Sequence, residues 1–140
     1  MITMRLQGAR EVEQMLRNMP KKEAKSAVRK GMRRAAKTIQ GTAKAYCPVA
    51  TGRLQRAIKL RQGRGRPGIY SMQVRINPGK SRNDEGGAWY APFVEYGYIQ
   101  GGKHHPGKHF MQAAGDVAGP PAAQQAVEEI GDEIEKAAKV

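Results

Sequence analysis

The sequence predicts an α+β fold: a long, basic N-terminal helix packed on a small antiparallel β-sheet, with a C-terminal helix added. Three observations predict it. Apolar residues recur at helical spacing between Pro20 and Tyr46, apolar and polar residues alternate from Tyr70 to Asn77, and helical spacing returns in the last twenty residues.

Ile2, Met4 and Leu6 alternate with Thr3, Arg5 and Gln7, which reads as a short strand ended by Gly8. Val12, Met15, Leu16 and Met19 then share one face of a short helix over 9–19, stopped by Pro20. The long helix starts at Pro20, a residue suited to a first turn, and runs to about Tyr46. At about 100° per residue, Ala24, Val28, Met32, Ala35, Ile39, Ala43 and Tyr46 fall within about ±60° of Val28. Lys22, Arg29, Lys30, Arg33, Arg34, Lys37 and Lys44 cover the opposite arc. Small residues on and beside the apolar face, among them Ala27, Gly31 and Ala36, suit close packing on a sheet. Cys47-Pro48 ends the helix, because a residue before proline disfavours the helical region.

Thr51-Gly52 marks a turn, and residues 54–61 read as a strand with Leu54, Ile58 and Leu60 on one face. After the loop 63–68, Tyr70, Met72, Val74 and Ile76 face one way and Ser71, Gln73, Arg75 and Asn77 the other. These two strands should form an antiparallel hairpin. Residues 78–87 have almost nothing to bury and read as a mobile loop. An ordered apolar-aromatic segment follows from Trp89 to Tyr98, and 99–109 reads as a second mobile loop. Phe110 to Val117 looks like a short helix broken by Gly119-Pro120-Pro121, before a final helix carrying Ala123, Val127, Ile130, Ile134 and Ala138. No repeat or boundary divides the chain, so 1–140 is read as one domain.

Charge is the loudest compositional signal, at +13 overall. Residues 1–68 hold 18 Lys and Arg against Glu11, Glu13 and Glu23, a net +15, whereas 69–140 carry −2. Such polarity suits docking head to tail with copies of the same chain, or a basic face turned toward nucleic acid. No apolar run approaches the ~20 residues of a membrane span. The first residues are too short and polar a stretch for a signal peptide, so a soluble protein made in the cytoplasm is expected. Cys47 is the only cysteine, which excludes an intrachain disulfide and leaves a small apolar filler as its ordinary role.

Several motifs invite chemistry that their surroundings do not support. Gly63, Gly65 and Gly68 match G-x-G-x-x-G, but a strand follows where a dinucleotide site needs a helix N-terminus. His104, His105 and His109 lie close in sequence, yet no Cys and no nearby Asp or Glu completes a metal site. Glu95, in an apolar-aromatic setting, lacks the second convergent polar group a general base needs, and a carboxylate satisfied by an Arg or a backbone amide is the simpler reading. No catalytic residue, cofactor or metal is assigned. Arg61, Arg64 and Arg66 on the hairpin tip, and Lys30, Arg33, Arg34 and Lys37 on the long helix, are candidates for sequence-independent phosphate contact. Nothing in the chain reads base edges.

Three separated pieces, in order, resemble one family. Pro48-Val49-Ala50-Thr51-Gly52-Arg53-Leu54 with Ile58 is similar to its P-x-x-T-G-x-L…I turn after a basic helix. Tyr90-Ala91-Pro92-Phe93-Val94-Glu95-Tyr96-Gly97 is similar to its Y-A-x-x-V-E-x-G segment, and Pro106 to Ala114, including Phe110, to its late P-x-x-x-F-[LM]-x-x-A element. This is the siphophage neck and tail-completion (head–tail connector) family named after the tenth gene product of phage HK-ninety-seven, with lambda minor tail protein Z as a relative. The chain departs from the pattern at Tyr98, where the family usually has Thr or Ser, and at His109 and Ala113, where it often has Pro; residues 78–87 resemble an insertion. The resemblance implies a non-enzymatic structural protein of the virion, assembled in the host cytoplasm. It implies a homo-oligomeric, hexameric ring around the DNA passage, between head-closure or connector proteins and the tail terminator or tail tube. The family-motif residues Pro48, Thr51, Gly52, Leu54, Tyr90, Ala91, Val94, Glu95, Gly97, Pro106, Phe110 and Ala114 are then architectural. The main rival is a small basic protein that binds or packages DNA non-specifically; a hydrolase using Glu95 and the histidines is a weaker one.

Overall fold

The computed structural model describes residues 2–5, 10–48, 52–63 and 70–138. In chain order these form β1 (Ile2–Arg5), α1 (Arg10–Arg17), α2 (Lys21–Tyr46), α3 (Arg53–Arg56), β2 (Ile58–Gln62), β3 (Ser71–Ile76), α4 (Ala91–Tyr96), β4 (Gly97–Gln100), β5 (Lys103–Pro106) and α5 (Phe110–Ala138). The α+β expectation holds, with a three-stranded antiparallel sheet in the order β1-β3-β2 and a separate two-stranded hairpin of β4 and β5. Strand β3 is central: it pairs Ile2 with Val74 on one side and Ile58 with Ile76 on the other. Its alternation places Met72 and Val74 in the core.

Helix α2 runs as the spacing predicts, and Cys47 leaves it with extended backbone just before Pro48. The Cys47 side chain is buried, and burial pushes its thiol pKa up. The buried face of α2 is wider than the apolar arc, taking in Ala27, Gly31 and Ala36 beside Met32, Ala35, Ile39 and Ala43, while Tyr46 stays exposed. The reason is that α2 has two neighbours. On one flank it meets the sheet, where Gln40 donates to the Ile58 carbonyl. On the other it lies against α5, where a β-carbon on Gly31 would strike the side chain and backbone of Ile130. Gly31 therefore serves helix–helix contact, not the close approach to the sheet that its small size suggested.

Helix α5 corrects a second expectation, because Gly119-Pro120-Pro121 does not break it. Phe110, Ala114, Ala118, Ala122, Ala126, Ile130 and Ile134 are all buried and fall four residues apart, a stripe that continues on both sides of the prolines. Pro120 and Pro121 face outward, so the carbonyls that lose their amide partners lie toward solvent. Packing of the alanine stripe offsets the ~3 kcal/mol each proline costs a helix. A third correction falls at 53–57: Leu54 is buried from a single helical turn, α3, and strand β2 begins only at Ile58.

Residues 99–109 are not irregular throughout either. Tyr98 pairs with His105 and Ile99 with His104 around a two-residue Gly101-Gly102 turn, both glycines at positive φ, as such a tight hairpin turn requires. Gly8, Val49 to Thr51, and the tip 64–69 with Arg64 and Arg66 lie outside the described residues.

Candidate functional site

The three motif pieces, distant in sequence, are joined by two polar side chains. The first is Arg53, at the start of α3. Gly52 precedes it in the left-handed region, with φ +77°, and so turns the chain from α2 toward the sheet at little cost. The Arg53 guanidinium donates from Nε to the Gly87 carbonyl at 2.7 Å. One of its terminal nitrogens donates to the carbonyls of Arg82 and Asp84 at 2.9 and 2.8 Å. The same group lies 5.8 Å from the ring centroid of Tyr90. Residues 78–87 bury almost nothing, yet their polar groups are tied down. Asp84 accepts from the amides of Lys80 and Gly86, and these bonds hold its carboxyl below the usual range.

The second is Glu95, in α4, whose side chain is buried. Its two carboxylate oxygens accept from the amides of Met111 and Gln112 at 3.0 and 3.2 Å, in the first turn of α5. Those amides have no partner within the helix, and the helix dipole favours a negative group there. Backbone bonds close the same joint: the Lys108 amide donates to the Val94 carbonyl and the His109 amide to the Glu95 carbonyl. Gly97 packs against the backbone of Pro106 and Gly107, with no room for a side chain. Glu95 is thus satisfied by backbone amides, the simpler of its sequence readings. Ala91, Phe110 and Ala114 are buried, Tyr90 and Val94 pack at the core's edge, and Pro48 and Pro106 are exposed at element ends.

This scaffold presents an aromatic surface. Trp89 meets Tyr90 and Phe93 edge-on, Phe93 meets Tyr98 edge-on, and Tyr98 stacks on His105 with centroids 4.5 Å apart. Arg82 sits over Trp89 at 4.6 Å. Trp89, Phe93 and Tyr98 are 38%, 48% and 41% exposed, a concentration of large apolar groups that marks interaction sites on protein surfaces, while Ile99, next to Tyr98 in β4, faces the other side of the hairpin. The three histidines do not converge. His105 lies on Tyr98, His109 packs edge-on to Tyr96, and no group of His, Cys, Asp or Glu among the described residues has the geometry to hold a metal ion.

The candidate phosphate-contacting residues divide into two sets. Lys30 and Arg34 are engaged by the acidic end of α5: Arg34 meets Glu129 and Glu133 at 2.9 Å each, and Lys30 meets Glu133 at 3.7 Å. Its bond to Glu129, foremost, and its bond to Glu133 outweigh desolvation and raise the pKa of Arg34. Burial acts to raise Glu133, but Lys136, Arg34 and Lys30 together outweigh it and hold that carboxyl below its usual value. Arg33 and Lys37 are exposed on the same helix, with no acid at ion-pair distance among the described residues. Arg61 is exposed on β2.

A family model described as "Bacteriophage HK97-gp10, putative tail-component" matches residues 10–97. The chain belongs to the HK97-gp10-like phage tail-component family. The match runs from α1 through the Arg53 joint to Gly97, so it includes the first two motif pieces and the Glu95 that caps α5. No curated protein and no solved structure matches the chain. Membership makes it a phage structural component of the virion that works against other phage structural proteins. No helix among the described residues is long and apolar enough to cross a membrane.

Sequence reasoning found Gly52, Glu95 and the aromatic segment. It missed Arg53, which occupies a free position of the motif. It also missed the β4–β5 hairpin, although Gly101-Gly102 flanked by Tyr98-Ile99 and His104-His105 carries that signal.

Proposed function

We infer that this HK97-gp10-like protein acts at the head–tail neck in tail completion and head–tail joining, as a ring of identical subunits around the DNA passage. The observation that carries the reading is the exposed aromatic surface of Trp89, Phe93 and Tyr98. It is held rigidly by the family-motif residues rather than left on a loose loop. A fixed apolar platform with a basic rim suits stable protein–protein contact, where aromatics and Arg dominate. Six subunits are expected, with head-closure or connector proteins on one side and the tail terminator or tube on the other. The test is assembly. A phage lacking this protein should accumulate DNA-filled heads beside finished, unattached tails, and the purified protein should join them. Joining without it would refute the role.

The exposed Arg33 and Lys37 on α2, and Arg61 on β2, suit phosphate lining such a passage. Binding to free DNA should then be weak, indifferent to sequence and steeply reduced by salt. Replacing Arg61, Arg64 and Arg66 with Ser, separately from Arg33 and Lys37, tells the hairpin tip from the helix. Tight, salt-resistant binding to one sequence in a gel-shift assay would favour the rival DNA-binding or packaging protein.

A further inference from the structure

The ring reading leaves open which surfaces meet, and the charges left over within one chain answer it. The end of α5 carries Glu128, Glu129, Asp132, Glu133 and Glu135. Lys30, Arg34 and Lys136 occupy Glu129 and Glu133, while Glu128, Asp132 and Glu135 remain exposed. At the other end of the same helix, Arg82 sits over Trp89, and the exposed Lys103 and Lys108 lie in and just after β5, the strand that pairs with Tyr98. Of the two carboxylates in the loop that carries Arg82, Asp84 is committed to backbone amides and Glu85 is exposed. At ~1.5 Å per residue, the exposed acids lie roughly 27–38 Å along α5 from Phe110. The basic-rimmed aromatic surface and the acidic helix end therefore cannot reach each other within one chain. They can between two.

Resting on the ring reading, we propose that the occupant of the aromatic surface is the acidic end of α5 in a second copy of this chain. Trp89, Phe93 and Tyr98 supply the apolar centre of the contact. Lys103 and Lys108 face Glu128 and Asp132 of the neighbour at its rim. Because one end of each subunit meets the other end of the next, the contact is heterologous and propagates. It closes into a ring when the rotation per subunit divides a full turn. The complementary charges also steer the approach and reject the reversed orientation.

The experiment is a charge exchange on the full chain, read by mass at matched concentration. One variant carries Lys103→Glu with Lys108→Glu, the other Glu128→Lys with Asp132→Lys. All four residues are exposed, so circular dichroism should match the parent. Each variant alone should give no ring at concentrations where the parent is fully assembled. Mixing the two should restore rings, since each altered surface then meets an oppositely altered one. A Phe93→Ser, Tyr98→Ser variant should also fail to assemble, and the mixture should not rescue it. Parent rings with unaffected variants would overturn this interface while leaving the ring reading intact. A parent that stays monomeric at its highest soluble concentration would overturn both.

Discussion

Replacing Glu95 with Ala should uncouple α4 from α5, and the geometry sets the size of the loss. The carboxylate accepts from two amides in the first turn of α5, one of them the amide of the buried Met111. A hydrogen bond to a charged acceptor contributes ~1.5–3 kcal/mol, and a buried amide left without a partner costs ~1–3 kcal/mol. Loss of a helix N-cap is typically worth ~1 kcal/mol. These descriptions overlap, since all concern the same two amides, so the total is about 2–4 kcal/mol rather than their sum. For a chain of this size that lowers the melting temperature by about 6–15 °C. Glu95→Gln keeps the shape and one acceptor oxygen but turns an NH2 group toward the second amide, and should lose about half as much. Thermal melts at neutral pH, followed by circular dichroism, measure both. An Ala variant melting within ~2 °C of the parent, or a Gln variant less stable than the Ala variant, would refute the idea that this carboxylate holds the joint.

Gly31→Ala and Gly41→Ala form a matched pair within α2. A β-carbon at Gly31 collides with Ile130, whereas nothing lies within 4 Å at Gly41. The first should therefore destabilise by ~1–3 kcal/mol despite its better helix propensity, and the second should stabilise by ~0.5–1 kcal/mol in urea unfolding. Gly52→Val should cost on the order of 1–3 kcal/mol, because its φ of +77° strains a β-branched residue; an unchanged melting temperature would show the turn is not architectural. Glu133 has its folded-state pKa held below the ordinary 4.5, so its contribution is fully present above that pH and is lost as pH falls through the lowered value. Glu133→Gln should make the protein less stable at pH 7 and flatten its stability profile in acid, measured by urea midpoints across the range.

What the sequence made legible follows the periodicities that burial imposes. Helix α2 and strand β3 each bury one face, so their spacing of apolar residues located them closely. Helix α5 was misread as two pieces because local propensity, dominated by Pro120 and Pro121, lost to packing: alanines at every fourth position are weak hydrophobic markers, yet they let α5 lie against Gly31. The spacing begins strand β2 too early because Leu54 and Ile58 are both buried whether the backbone between them is turn or strand. The site was legible through its apolar and acidic members, Phe93, Tyr98 and Glu95. Arg53 was not, since a basic residue in a basic chain carries no pattern, and its partners are backbone carbonyls whose position no side chain announces. The +15/−2 charge split suggested contact between copies but not that part of it is consumed internally, by Arg34 and Lys30 on Glu133.

The central claim is that this tail-component protein works as a closed ring of identical subunits. Mass determination of the purified 140-residue chain by light scattering across a wide concentration range tests it most directly. A closed ring gives a discrete species at an integer multiple of 15.4 kDa, expected at six, that persists on dilution and dissociates when salt screens the rim charges. A protein that remains at 15.4 kDa throughout, or that grows without limit instead of closing, would contradict it.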